Sequence, residues 1–287
     1  GLVGSEMCIR DRVYISMAHL GPENVAKKFQ GMVKRCADSG FDLAAGLVEV
    51  VPTAHYLMGG VVVDVETRTS LAGLYVAGED AGGAHGSNRL GGNGVANSTV
   101  YGGIAGDVMA ADAQKMSALH DPDETILDEE LARAITPFSA KPGNVHELRV
   151  RLMDAMWDDV GVMRDAAGLK LGIEKIASLK TDMENVGVSA DNLAFNLSWH
   201  DWLSLQSLID TSEVIAKAGL SRENSRGAHF REDFPDAGSL DDSYFTIATS
   251  GDKGIEVNRE AVKFTIVKPG ESLLGADEAE TLVEAAQ

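Results

Sequence analysis

Three groups with usable chemistry stand in one glycine-rich stretch between Pro52 and Asp107. His55 lies in Pro52-Thr-Ala-His55-Tyr-Leu-Met-Gly-Gly60, Glu79 ends Gly73-Leu-Tyr-Val-Ala-Gly-Glu79, and Arg89 lies in His85-Gly-Ser-Asn-Arg89-Leu-Gly-Gly-Asn-Gly94. A guanidinium presents a planar fork that matches a carboxylate with two parallel hydrogen bonds. A carboxylate just past a strand end is placed to accept hydrogen bonds from sugar or ribitol hydroxyls. An imidazole donates, accepts or carries a proton near neutral pH. The glycines around them, Gly78, Gly91, Gly92 and Gly94 among others, permit positive φ and let backbone touch a ligand directly. Each group also has a plainer role: His55 as a core histidine bonded to backbone, Arg89 as a surface ion-pair partner, Glu79 as a helix N-cap. It is the grouping that favours the functional reading.

The elements that must position these groups follow from the same stretch. The apolar run Leu74–Ala77 predicts a short buried strand that breaks at Gly78 and offers Glu79 at its end. From Asn93 onward, Val95, Thr99, Ile104 and Val108 recur at helical spacing among small residues. Gly91–Gly94 then form the N-terminus of that helix, whose free N–H groups and positive dipole end suit an anion or an electron-rich ring. Gly78, Asn93, Gly94 and Val95 are the residues expected against such a ligand.

In these motifs the stretch resembles the flavoprotein family of succinate dehydrogenase, fumarate reductase and L-aspartate oxidase. The resemblance implies that His55 holds one carboxylate of a dicarboxylate substrate, that Arg89 pairs with the other, and that Glu79 is the acidic ligand of FAD. It implies hydride transfer between the dicarboxylate and the flavin, with an iron–sulfur subunit or another electron carrier as partner. His85 is then structural or packed near the flavin. Ser87 stands where alanine is usual, and Gly94-Val95 where Ser-Leu is usual, which removes a hydroxyl from the flavin's surroundings. Arg222-Glu-Asn-Ser-Arg-Gly-Ala-His229-Phe-Arg-Glu-Asp-Phe-Pro235 and Met156-Trp-Asp-Asp-Val-Gly-Val-Met-Arg164 also resemble family signatures, so the likeness runs in order from Val13 to roughly Phe264. In the first of these, Arg226, His229 and Arg231 are expected to fix the C-terminal segment against the FAD domain. L-aspartate oxidase, or another dicarboxylate-oxidising relative, is the alternative within the class, because Gly78-Glu-Asp-Ala-Gly-Gly83 is not typical of the respiratory enzymes. The alternative outside it is a non-catalytic interaction module built on a helical bundle.

Composition narrows the remaining classes. A net charge of -19 argues against nucleic acid binding and electrostatic membrane anchoring. It also opposes an anionic substrate at long range, so local cations such as Arg89 must supply the attraction. No apolar run approaches the roughly 20 residues of a bilayer span, so no direct membrane insertion is expected. Of the two cysteines, Cys8 lies in a suspect start and Cys36 has no internal partner; no spacing suggests zinc or an iron–sulfur site, so no metal is expected. These features and the resemblance together imply a cytoplasmic protein, peripheral at the cytoplasmic membrane where partner subunits hold it.

The expected fold class is α+β / α/β: the C-terminal part of a FAD-binding domain, an antiparallel helical bundle and a short β-containing C-terminal segment. Residues 1–12 read as the translation of a sequencing adapter, the transposon end encoding Met7–Asp11, and are set aside. The chain is therefore expected to be a C-terminal fragment whose nucleotide-binding glycine turn and proton-shuttle arginine lie upstream, and to be inactive alone. Residues 13–47, by resemblance the tail of a capping domain, predict a strand and then a helix with Val25, Phe29, Val33 and Cys36 on one face. Residues 48–114 complete the FAD domain, with Val61–Val65 as a strand and Glu66–Ser70 as a turn. Residues 115–144 form a polar linker with a helix around Leu127–Ile135. In the bundle, 145–218, Leu148, Leu152, Met156 and Val160 recur at i, i+4 spacing, with Leu193, Leu197, Leu203 and Leu208 less strictly, and Trp157, Trp199 and Trp202 are assigned to its core. Residues 219–287 hold alternating strands at Tyr244–Thr249 and Val257–Val267.

Overall fold

The computed structural model describes residues 2–3, 13–50, 55–118, 121–189, 191–251, 254–269 and 271. Pro52 to Ala54 of the first motif, and Cys8, lie outside them. The chain divides into two compact units, Gly1–Leu57 and Met58–Gln287.

The first unit holds a three-stranded antiparallel sheet of β1 (Leu2–Val3), β2 (Val13–Ser16) and β3 (Leu47–Val50), in that order. Leu2–Val3 come from the segment set aside above, and they pair with Ile15 and Tyr14. Between β2 and β3 the expected single helix is two: α1 (Pro22–Lys28) and α2 (Gln30–Asp38). The break falls at Phe29, whose φ of -121° and ψ of 38° are not helical. Its ring is 39% exposed, so little burial opposes the break. Val25, Leu43 and Val48 form the buried core, with Val33, Cys36 and Phe41 packed on it.

In the second unit, α3 (Asn93–Lys115) begins where the glycines predict, after Gly92 at φ 84°. The expected strands Leu74–Ala77 and Val61–Val65 do not form as ladders. The chain instead makes two isolated bridges, Val61 with Ala81 in parallel and Arg68 with Tyr75 antiparallel. Each run meets one neighbour for one residue, too little pairing for a ladder to persist, and Leu74 is 46% exposed rather than buried. The turn between them forms around Asp64, whose carboxylate accepts from the Glu66 and Arg68 amides.

Beyond α3 come α4 (Glu124–Ile135), α5 (Val145–Asp158), α6 (Ala166–Glu184) and α7 (Leu197–Ser221). The bundle helices start on side-chain caps: Asn144, Asp165 and Asn196 accept from the amides of Glu147, Gly168 and Trp199. Leu148, Leu152, Val160, Leu169, Ile176, Leu205 and Ile209 fill the core. Trp202 is buried and donates to the Val186 carbonyl, and Trp199 donates to that of Ala134. Trp157, Leu193, Leu197 and Leu208 are exposed, against expectation. Leu193 and Leu197 flank the start of α7, where helical spacing does not yet define a face. The C-terminal strands β4 (Tyr244–Gly251) and β5 (Gly254–Ala261) make one hairpin; β5 starts earlier than predicted and ends six residues sooner, at Ala261 rather than Val267.

Arg231, 1% exposed, joins two ends of the bundle. Its Nη1 donates to the carbonyls of Gly219, Leu220 and Arg222 at the end of α7. Its Nε and Nη2 grip the Asp233 carboxylate at 2.7 Å each, and Asp233 accepts from the Ala166 amide that opens α6. Cation and anion each sit at the helix end whose dipole favours them. Asp233 is 30% exposed and stays hydrated without its partner, so the cost of removing Arg231 lies in the α7 carbonyls left without a donor, about 1–3 kcal/mol. Arg231→Met is therefore expected to lower stability by about that amount in urea unfolding; a change under about 1 kcal/mol, the range of a surface pair, would contradict this role.

Candidate functional site

The glycine-rich stretch is held by backbone. The Val61 amide donates to the Asp80 carbonyl at 2.8 Å, and the Gly82 amide to the Val61 carbonyl at 2.9 Å. These bonds press Gly60 against Gly82. A Cβ on Gly60, at φ 152°, would stand 2.3 Å from the Asp80 oxygen, and one on Gly82 2.9 Å from the Gly60 oxygen. The end of the first motif thus clasps the end of the second by a contact only glycine permits. His55 itself is exposed and belongs to the first unit, whereas Glu79 and Arg89 belong to the second.

Helix α3 holds the stretch from its other side. Asn97, 7% exposed, donates through Nδ2 to the Gly78 carbonyl at 3.2 Å and lies 3.1 Å from His85 Nε2. Donation from Asn97 makes that nitrogen the acceptor and puts the His85 proton on Nδ1, which fits the structural role expected of His85. Gly78, at φ 88°, lets the backbone pass close to Ser98. Farther along the helix, Asp112 accepts from Arg68 and from the Tyr75 hydroxyl through one oxygen and from Lys115 through the other. Hydrogen bonds from Lys115, Tyr75 and Arg68 hold the Asp112 carboxyl well below the usual carboxylate range. Sequence reasoning missed Asn97 and Asp112. The one signal for Asn97 was a poor helix former standing inside a helix of small residues.

What this leaves facing outward is Glu79, exposed on its turn, and the start of α3. Gly91 and Gly92 are exposed, with nothing within 4 Å of where a Cβ would stand, and Val95 is 78% exposed. The Asn93 amide is already committed to the Leu90 carbonyl at 3.2 Å, so a ligand there meets the amides that follow and the exposed Asn93 side chain. Arg89 is partly buried and donates to the Leu90 carbonyl at 3.3 Å. An open helix N-terminus, a surface carboxylate and a guanidinium on one anchored stretch can bind a polar, anionic or electron-rich ligand.

The segment after α7 meets this stretch directly. The Ala228 amide donates to the Ser87 carbonyl at 3.0 Å, whereas the side chains of Arg226, His229 and Arg231 bond within the C-terminal segment and to the helical bundle. His229 Nδ1 lies 2.8 Å from Arg164 Nη1 and is its acceptor, since a guanidinium only donates.

Two family models match the chain: "FAD binding domain" over residues 3–95 and "Fumarate reductase flavoprotein C-term" over residues 149–273. A CoM/CoB fumarate reductase subunit of Methanothermobacter marburgensis is 36% identical over 78% of this chain, and L-aspartate oxidase 1 of Ralstonia nicotianae is 35% identical over 78%. The solved structure of a variant of E. coli quinol fumarate reductase FrdA superposes with a TM-score of 0.81 at 26% identity, over 94% of this chain. The chain spans 40% of the length of each of the two relatives and 47% of the solved chain. Fold and matches together define a flavoprotein with FAD as its cofactor. The chain belongs to the succinate dehydrogenase/fumarate reductase flavoprotein family. The open α3 N-terminus and the exposed Glu79 fit a flavin nucleotide, which needs hydroxyl acceptors and amide donors on an uncovered face. No helix among the described residues is long and apolar enough to cross a membrane.

Burial and then the Arg164 cation push the His229 imidazole down from 6.5 to about 4. It is neutral when folded, while unfolded chain binds its proton near 6.5, so stability falls as pH drops from 6.5 toward 4. His229→Gln is expected to flatten the decline across that window in denaturant titrations at stepped pH. An unchanged slope would place the decline on other groups.

Proposed function

We propose that this chain supplies one wall of the active site of a FAD-dependent oxidoreductase that moves hydride between a dicarboxylate and the flavin. The observation that carries the reading is the joint anchoring of Glu79, Arg89 and the α3 N-terminus on one backbone-clasped stretch. Bound FAD supplies the hydride acceptor or donor. Glu79 accepts hydrogen bonds from hydroxyls of that cofactor, with Gly78 allowing close approach. The first-turn amides of α3, at Gly94 and Val95, would with Asn93 hold the ring and favour negative charge on it. Arg89 grips one substrate carboxylate with two hydrogen bonds, and carboxylate binding is the role proposed for His55 in its own unit. A carboxylate held by a planar fork fixes the substrate's orientation, and such positioning lowers a barrier by several kcal/mol or more.

Both fumarate reductase and L-aspartate oxidase relatives support a four-carbon dicarboxylate. The Arg226-Gly-Ala-His229 segment favours the fumarate and succinate chemistry. The Methanothermobacter relative is named as one subunit of its enzyme, which supports an electron-carrying partner such as an iron–sulfur protein for this chain.

In the FAD-loaded holoenzyme, Arg89→Ala is expected to abolish bleaching of the flavin by succinate, or reoxidation of the reduced flavin by fumarate, while sparing the flavin spectrum. Normal reaction with either would contradict the role of Arg89. The 287-residue chain by itself, whose sequence holds no Gly-x-Gly-x-x-Gly turn for a pyrophosphate, is expected to keep little FAD through gel filtration and to turn over little. A yellow protein eluting with stoichiometric FAD would count against that.

A further inference from the structure

The segment that follows α7 ends in a tight turn aimed at the loop that carries Arg89. The Arg226 amide donates to the His229 carbonyl at 2.9 Å and the His229 amide to the Arg226 carbonyl at 3.0 Å, closing a two-residue hairpin. Its first central residue, Gly227, sits at φ 58°, while Ala228 has negative φ, the signs of a type II′ turn. At the tip, the Ala228 amide donates to Ser87, and a Cβ on Gly227 would stand 2.3 Å from the same carbonyl oxygen and 2.7 Å from Ser87 Oγ.

The base of the turn is rigid and does not depend on the loop it touches. Arg226 donates from Nε to the Ala237 carbonyl, from Nη1 to Ser243 Oγ at 2.7 Å and from Nη2 to the Ser239 carbonyl. The Arg164–His229 bond and the buried Arg231 tie the same turn to the helical bundle. On the far side of Arg89, the Asn93 amide holds the Leu90 carbonyl. Arg89 is therefore strung between two fixed points, Ser87 and Leu90, one set by the turn and the other by α3.

We propose that the Gly227-Ala228 turn is a positioning clamp that sets the backbone of Arg89, through Ser87, for dicarboxylate recognition. The proposal rests on the reading that Arg89 holds a substrate carboxylate. A fork-to-carboxylate contact tolerates little displacement, and a misplacement of about 1 Å from a distant change costs roughly 100-fold. The clamp acts on the substrate side of the site alone, because Glu79 and the α3 N-terminus are held by other bonds, those of Val61, Gly82 and Asn97.

The test uses the FAD-loaded holoenzyme with succinate and fumarate as probes. Gly227→Ala, which drives a methyl group into the Ser87 carbonyl, is expected to lower kcat/KM roughly 100-fold, chiefly through KM, with the flavin spectrum and FAD retention unchanged. Arg226→Lys, which loosens the base of the turn without a clash, is expected to shift KM in the same direction by a smaller factor, and it decides the question if Gly227→Ala does not fold. Unchanged KM in the folded variants, with only the thermal midpoint lowered, overturns the clamp. Arg89→Ala run beside them separates the two readings. Lost dicarboxylate binding there, with normal binding in both turn variants, overturns the clamp alone; normal binding in Arg89→Ala overturns the site and the clamp together.

Discussion

A guanidinium with almost no contact with water sits where α7 ends. Desolvating a charge costs several kcal/mol, and Arg231 offsets that because each of its three nitrogens donates: Nη1 to three carbonyls of the α7 terminus, Nε and Nη2 to the two oxygens of Asp233. Asp233 in turn caps the start of α6, so one ion pair joins the C-terminal end of one bundle helix to the N-terminal end of another. The Arg231 guanidinium and the two Asp233 oxygens thus fix the segment between 222 and 235, and that segment carries the turn pressed on Ser87. By contrast, the Arg68–Asp112 pair that ties α3 to the turn around Arg68 is partly exposed, and pairs of that kind contribute little to stability. Its value lies in orientation rather than energy.

The glycine-rich stretch is built on a different principle. Its large apolar residues, Val62, Leu74 and Leu90 among them, stay exposed, so its shape comes from backbone hydrogen bonds and from contacts that a Cβ would forbid, as at Gly60 and Gly82. Such a loop is held from several sides: Val61 pairing, Asn97, and the Ala228 turn. In a chain of net charge -19, a site for an anionic ligand needs donors fixed in place, since the long-range field works against it. The amides at the start of α3 and the Arg89 guanidinium are donors of that kind.

Much of this was readable in the residues, for reasons that differ by element. Glycines at 91, 92 and 94 before small and β-branched residues mark a helix start, and α3 begins at Asn93 as the pattern requires. The bundle was legible because Leu148 and Leu152 lie on one stripe of α5 and are buried, with Val160, just past the end of the helix, in the same core. The predicted strands Val61–Val65 and Leu74–Ala77 were not, because a short apolar run reports hydrophobicity and not whether a neighbouring strand is present to pair. Phe29 looked like core by spacing, yet its backbone breaks the helix there. Asn97 and the Ser87–Ala228 bond escaped because neither has a periodic signature: one is a single polar residue in a helix, and the other joins backbone atoms across more than a hundred residues of sequence.

The central claim is that Arg89 and the α3 N-terminus form one surface for a flavin and a dicarboxylate. A crystal structure of the FAD-loaded holoenzyme with fumarate tests it most directly. The account predicts a fumarate carboxylate within hydrogen-bond distance of both terminal nitrogens of Arg89 and the flavin ring against the amides that open α3. A carboxylate bound elsewhere, with Arg89 paired to a protein group, or a ring remote from Gly91–Val95, would contradict it.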